Sequence, residues 1–165
     1  MYRRVAALAV LALSADAGAT DIVRYPLPGG SKFPIASAVS VPADYEIVFH
    51  SGITADPANP KAQAGTPEYW GNTKTQTISL FKKMQGSLKA MGLTFADVVK
   101  MNVFLVADPA TGKMDFSGFM EGYTQFFGTK EQPNLPARSA VQVGGLAAAG
   151  ALVEIEVELA HKSAH

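Results

Sequence analysis

A single arginine and a set of alternating glutamates near the C-terminus are the residues whose types and spacing could do chemistry. Arg138 lies in NLPARSAV, between a proline-bearing turn and an apolar run, and Glu154 is the first glutamate of ALVEIEVELA. A guanidinium can hold a planar anion at two points, and a partly desolvated carboxylate can take part in acid–base chemistry. The alternative interpretation is a solvated charge beside a solvated sheet face. The elements that carry these residues decide between the two.

The two segments read as strands, predicted at 138–143 and 151–160, whose side chains alternate between two faces. If they pair as a hairpin about GGLAAAG, Arg138 shares a face with Glu154 and Glu156. A shift of one residue would break this match. A second subunit covering the acidic face would partly desolvate its carboxylates. The opposite face of the last strand is apolar and is expected to pack on helices: Val153, Ile155, Val157 and Leu159.

Two helices and further strands are needed to position these residues. Strands are predicted at 45–52 and about 98–106, and helices at about 74–91 and 115–128. This order predicts an α+β fold with two helices packed on one face of a mixed sheet. Apolar residues at helical spacing support the first helix, with Gly92 as its C-terminal cap: Ile78, Phe81, Met84, Leu88 and Met91.

A long polar loop predicted at 53–73 carries Trp70, the only tryptophan. Loops of this length inside a compact domain are often functional. Trp70 is predicted to anchor the loop to the body of the protein. The alternative is that the loop forms a lid over a pocket.

Composition limits the classes of function. The chain has 165 residues, of which 48% are hydrophobic and 17% charged, which suits one domain, predicted at 20–165. The formal net charge is zero and no basic stripe is visible, so no nucleic-acid partner is expected. The absence of cysteine excludes disulfides and thiolate metal sites. The three histidines are scattered, so no metal or cofactor is predicted: His50, His161 and His165.

The first residues have the features of a secretory signal peptide, predicted at 1–19. Two arginines precede an apolar run from Val5 to Leu13, and small residues follow. The run is too short to span a bilayer, so no stable membrane association is expected. A buried N-terminal helix is the alternative. The signal peptide would place the protein in the periplasm or outside the cell.

Several motifs follow one another along the chain, among them FHSG, GLTFADVVKMNVFLVAD, DFSGFMEGYTQFF, PARSAV and ALVEIEVELA. They occur in the order found in the RidA/YjgF family, also called endoribonuclease L-PSP-like, and the chain resembles this family over roughly 34–160. The resemblance implies a chorismate-mutase-like fold and a homotrimer. The sheets would line a central barrel, with a pocket at each subunit interface. It implies no metal or organic cofactor.

The resemblance also implies an activity, the hydrolysis of enamine and imine acids such as 2-aminoacrylate to a 2-oxo acid and ammonia. Arg138 would hold the substrate carboxylate, Glu154 would position water, and Ser51 would contact the substrate. The chain departs from the family pattern at three pocket positions, where Ala38, Met120 and Ala140 stand in place of tyrosine, asparagine and cysteine. These departures favour, as an alternative, a trimer that binds small carboxylates without catalysis. RNA cleavage is a distant third.

Overall fold

The computed structural model describes residues 21–162, which form two sheets and three helices. The signal peptide predicted at 1–19 lies outside the described residues. The strands are β1 (Val23–Tyr25), β2 (Ala38–Ser40), β3 (Tyr45–Thr54), β4 (Val98–Val106), β5 (Ala137–Val143) and β6 (Val153–Lys162). The helices are α1 (Pro67–Trp70), α2 (Thr73–Ala90) and α3 (Phe116–Tyr123), with 3₁₀ turns at Pro28–Gly30 and Phe95–Asp97.

The main sheet has the strand order β3-β6-β4-β5, and β1 pairs separately with β2. β6 is antiparallel to both of its neighbours, whereas β5 is parallel to β4. The predicted hairpin of the last two strands is therefore wrong. β6 is the more deeply buried strand and hydrogen-bonds along both edges, while β5 forms the edge of the sheet. The chain reaches β5 from β4 through α3, the crossover that a parallel pair requires.

The helices pack on one face of the main sheet, as predicted. The odd-numbered residues of β6 are buried from Val153 to Leu159, together with Phe81, Met84 and Leu88 of α2. Met91 is exposed, because α2 ends at Ala90 and Met91 is its C-cap.

Helix α3 is shorter than the helix predicted at 115–128. Asp115 caps its N-terminus by accepting a hydrogen bond from the Gly118 N–H at 2.8 Å, and Thr124 is its C-cap. The chain then turns, yet Phe127 still reaches the core and its ring stacks on Tyr123 with centroids 5.0 Å apart. Phe127 is therefore part of the core although it lies beyond the end of the helix.

Close contact between α2 and α3 depends on a glycine. A Cβ added at Gly122 would lie 2.6 Å from Cγ2 of Thr77, whereas one added at Gly86, on the exposed side of α2, would meet nothing within 4 Å. We expect Gly122→Ala to lower the free energy of unfolding by about 1–3 kcal/mol through overpacking. The matched control Gly86→Ala should raise it by about 0.5–1 kcal/mol through helix propensity. Urea unfolding of both variants measures this, and equal effects would contradict the close-packing argument.

The Trp70 loop is shorter and better fixed than the sequence suggested. β3 extends to Thr54, and residues 67–70 form a helical turn. Trp70 is buried, and its Nε1 donates to the Ala149 carbonyl at 2.8 Å, so its prediction as an anchor is confirmed.

None of the helices within residues 21–162 combines the length and apolar character needed to cross a membrane.

Candidate functional site

Arg138 lies on the helix-facing side of the main sheet. It pairs in register with Met101 of β4, which pairs with Val157 of β6, and both of these residues are buried. Side chains of residues paired across strands point to the same side. The prediction that Arg138 shares a face with Glu154 and Glu156 is therefore wrong. It assumed that β5 and β6 are neighbours, whereas β4 lies between them and its register sets the odd-numbered residues of β6 in line with Arg138.

Four aromatic rings, which we call the aromatic cage, surround the Arg138 guanidinium. Three belong to α3 and the fourth to the loop before β2. Their centroids lie 4.3 Å (Tyr123), 5.0 Å (Phe119), 5.5 Å (Phe33) and 5.9 Å (Phe116) from Cζ of Arg138. Ring faces attract a cation, by roughly 0.5–1 kcal/mol when exposed and more when desolvated. The three α3 residues thus contact a charged group in addition to packing against the core.

The aromatic cage leaves the guanidinium without an ionic partner. Its Nη2 donates to Sδ of Met120 at 3.3 Å, a weak acceptor. Its Nη1 is buried without a hydrogen-bond partner, and no carboxylate in the described part of the chain forms an ion pair with it. Burial lowers the pKa of Arg138, and the Tyr123 hydroxyl opposes this shift. A buried cation whose nitrogen lacks a hydrogen-bond acceptor costs free energy, and a bound anion offsets this cost.

Two other predicted site residues lie beside Arg138. Met120 supplies the sulfur contact, and Ala140, two residues further along β5, is partly buried against the core. The structure thus brings Arg138, Met120 and Ala140 to one side of the sheet. Both neighbours are less polar than the asparagine and cysteine that the family resemblance would place there.

Phe33 is a member of the cage that sequence reasoning missed. Its segment is tied down by the Tyr123 hydroxyl, which donates to the Pro34 carbonyl at 2.9 Å. Burial raises the pKa of Tyr123, so this hydroxyl keeps its proton. Ala38, which the resemblance aligned with a pocket tyrosine, lies in β2 opposite Tyr25 and is not in the cage. No periodic pattern distinguishes Phe33 in the sequence. The one feature that could have indicated a role is that it is an aromatic residue in a segment without regular secondary structure.

Glu154 and Ser51 lie near each other at the opposite side of the sheet. A β-bulge sets Ser51 and Gly52 of β3 against Glu156, and bulges often re-aim side chains beside functional sites. A Cβ at Gly52 would overlap the Glu154 carboxylate, so the glycine leaves the room that this side chain occupies. Ser51 borders a cleft of about 200 Å³ that also includes Glu156, which accepts from Asn102 Nδ2 at 2.9 Å.

Arg138 and Glu154 are therefore separated within one chain. They are two strand spacings and three residues apart, about 14 Å between Cα atoms, and point to opposite sides of the sheet. A water that attacks the carbon beside a bound carboxylate must approach within about 3.5 Å of that carbon. One chain alone cannot place both side chains on one small substrate.

The face that carries Glu154 also exposes apolar side chains. Phe49, in register with Glu158, is 77% exposed, and Val141, in line with Glu154, is 47% exposed. They lie on β3 and β5, the two edge strands of the sheet, so this face carries exposed apolar side chains at both of its edges.

The two histidines within residues 21–162 have structural contacts. His50 lies on the helix side, with Nε2 2.9 Å from Oγ of Ser87, and His161 lies 3.6 Å from the Glu46 carboxylate. Within residues 21–162, no group of three or more histidines and carboxylates is arranged to hold a metal.

A separate cavity of about 960 Å³ lies at the other end of β4 and β5. Its lining includes Gly65 and Pro67 from the Trp70 loop, Val106, and Gly144 beyond β5. It contains none of the predicted site residues.

Three comparisons relate this chain to known proteins. The family model described as Endoribonuclease L-PSP matches residues 32–161. A RutC family protein from Haemophilus influenzae is 32% identical over 90 residues, which are 54% of this chain and 62% of that protein. A RutC family protein from Pyrococcus horikoshii is 34% identical over 86 residues, 52% of this chain and 60% of that protein. The chain thus spans about three fifths of the length of these curated relatives.

A solved structure from Yersinia pestis, described as a protein of unknown function of the conserved Rid protein family, has a similar fold. The TM-score is 0.59 at 20% identity, over 82% of this chain and 96% of that chain. This likeness confirms the α+β fold class with its mixed sheet.

Proposed function

Because this chain belongs to the endoribonuclease L-PSP family, also called RidA/YjgF, we propose that it hydrolyses small enamine and imine carboxylic acids of the 2-aminoacrylate type to 2-oxo acids and ammonia. The observation that carries the proposal is the Arg138 guanidinium, which lies among aromatic rings, forms no ion pair within residues 21–162 and has a buried Nη1 without a hydrogen-bond partner. Such a group is prepared for an anion, and a guanidinium holds a carboxylate at two points.

The chemistry needs few protein groups. An enamine becomes an imine when its β-carbon gains a proton and its nitrogen loses one, and the imine carbon is electrophilic. Water adds to that carbon while Glu154 accepts a proton from the water and returns it to the nitrogen, which gives a carbinolamine. The hydroxyl proton of the carbinolamine is then transferred to the nitrogen, the carbon–nitrogen bond breaks, and ammonia leaves as the carbonyl forms. Arg138 fixes the carboxylate and, through its charge, draws electrons from the reacting carbon.

The site is proposed to form between subunits of a homotrimer, with Arg138 from one subunit and Glu154 and Ser51 from its neighbour. The separation of these side chains within one chain supports this, as does the exposed apolar surface around Phe49 and Val141. A cyclic arrangement repeats one such heterologous interface three times. The location is proposed to be the periplasm or the cell exterior, from the signal peptide predicted at 1–19.

A second candidate function is carboxylate binding without turnover. Met120 and the rings around Arg138 favour it, because they supply no polar group beyond the guanidinium to align a nucleophile. RNA cleavage, which the family description carries, has only that description in its favour.

The test is ammonia release from 2-aminoacrylate generated in situ, followed against the spontaneous rate. We expect the wild-type protein to accelerate hydrolysis and Glu154→Gln to lower the catalysed rate roughly 100-fold, the lower end of the general acid–base range. Glu158→Gln, on the same face of the same strand, is the matched control and should remain active. A wild-type rate equal to the spontaneous rate would reject the deaminase proposal and favour the binding protein.

A further inference from the structure

We infer that Phe33 makes the Arg138 site selective for imine acids with an aromatic side group. The inference rests on the proposed function and names its substrate class. The Phe33 ring centroid lies 5.5 Å from Cζ of Arg138, and Phe33 is 40% exposed, whereas Phe119 and Tyr123 are fully buried. It is therefore the member of the cage that an incoming ligand meets first.

The rings of the cage form a continuous row from the core to the surface. Tyr123 and Phe119 have centroids 5.7 Å apart, Phe119 and Phe116 are 5.9 Å apart, and Phe116 and Phe33 are 6.3 Å apart. Phe33 and Phe116 are stacked, with an angle of 23° between their planes. Aromatic pairs favour offset stacking at such separations. A further ring supplied by a ligand would extend this row at its open end.

The position of the carboxylate fixes where the side group goes. A carboxylate held by a guanidinium lies at about 2.7–2.9 Å from its nitrogens. The substituent then begins only a few bonds further out, at the depth where Phe33 and Phe116 lie, 5.5 Å and 5.9 Å from Cζ. Met120 places its sulfur 3.3 Å from Nη2 of Arg138, and Ala140 lies two residues further along the same face of β5. A methyl side group would leave the exposed faces of the Phe33 and Phe116 rings in contact with water, whereas a phenyl group would bury them.

Phe33 is held in position before a ligand arrives. Its N–H donates to Ser31 Oγ at 3.3 Å, and its carbonyl accepts from the Ile35 N–H at 2.8 Å. Tyr123 fixes the next residue through the Pro34 carbonyl. Because these hydrogen bonds hold its backbone and its ring stacks on Phe116, Phe33 loses little further conformational entropy when a ligand binds. This favours discrimination between ligands.

The test compares two imines that differ only in side group. An L-amino-acid oxidase produces 2-iminopropanoate from alanine and 2-imino-3-phenylpropanoate from phenylalanine, and semicarbazide traps whatever the protein has not hydrolysed. We expect wild-type kcat/KM to be about tenfold higher for the phenyl substrate, from the aromatic contact together with the buried area. Phe33→Ala should remove that preference by lowering kcat/KM for the phenyl substrate about tenfold more than kcat/KM for the methyl substrate. Phe33→Leu, which keeps apolar bulk, should retain only part of it.

Tyr25→Ala is the matched control, since Tyr25 is another exposed aromatic residue of the N-terminal segment, 46% exposed and outside the cage. It should leave the preference unchanged. Equal losses on both substrates in Phe33→Ala would overturn the inference and make Phe33 a structural residue. A higher rate on the phenyl substrate in Phe33→Ala would also overturn it, since Phe33 would then exclude large groups.

Product binding separates this inference from the proposed function. Calorimetry with 3-phenyl-2-oxopropanoate and with 2-oxopropanoate reports side-group selectivity whether or not turnover occurs. If no imine is hydrolysed but the phenyl acid binds about tenfold more tightly in a Phe33-dependent manner, the deaminase proposal fails and the selectivity stands. If both acids bind equally well in wild type and in Phe33→Ala, the selectivity fails even where imines are hydrolysed.

Discussion

Replacing Arg138 with methionine is expected to abolish imine hydrolysis while leaving the protein as stable as before, or more stable. The lost two-point grip on the substrate carboxylate is worth about 3 kcal/mol, so kcat/KM should fall roughly 100-fold or more. Nη1 of the guanidinium has no hydrogen-bond partner, and the guanidinium forms no ion pair in the described part of the chain. An apolar side chain of similar length removes that buried charge, and the free energy of unfolding should stay constant or rise by up to about 2 kcal/mol.

Arg24 provides the matched control, because it is also a half-buried arginine but has a structural role. It donates to the carbonyls of Val98 at 2.8 Å, Leu135 at 2.9 Å and Ala96 at 2.9 Å. Arg24→Met removes the donor from all three carbonyls, of which only that of Ala96 keeps a side-chain donor within residues 21–162, Asn134 Nδ2 at 3.3 Å. It should lower the free energy of unfolding by about 2–4 kcal/mol. Denaturant unfolding of both variants, with the activity assay, gives the comparison. A stability loss for Arg138→Met as large as that for Arg24→Met would assign Arg138 to the scaffold.

Mixed trimers of two inactive variants are expected to recover activity. Arg138→Met keeps Glu154, and Glu154→Gln keeps Arg138, so each variant alone should be inactive. In a three-membered ring that contains both variants, one of the three interfaces combines the intact Arg138 with the intact Glu154. The ring should therefore show about one third of wild-type activity.

Co-expression with two different affinity tags and purification through both isolates the mixed rings. Homogeneous rings of each variant, purified in the same way, are the controls. Mixed rings with no more activity than these controls would show that Arg138 and Glu154 do not act on one substrate across a subunit interface. A monomeric wild-type protein in solution would contradict the proposed assembly directly.

The sequence by itself determined the elements and the faces within each element. The alternation of β6 correctly separated its buried aliphatic side from its glutamates, and the spacing of Phe81, Met84 and Leu88 identified the buried side of α2. These patterns follow from the geometry of single strands and helices, so neighbouring residues suffice to read them. The residue types of Arg138 and Glu154 likewise pointed to carboxylate chemistry before any fold was known.

Only the tertiary structure decided which strands are neighbours, and with it which side of the sheet Arg138 faces. Alternation relates residues within one strand, but the side that Arg138 shares with β6 depends on the intervening β4 and its register. Strand pairing is set by contacts between residues far apart in the chain, which no local pattern contains. The same holds for Phe33, which reaches Arg138 only because its loop is bonded to Tyr123 through Pro34. The sequence determined the chemistry of the guanidinium, and long-range packing decided that rings, rather than carboxylates, surround it.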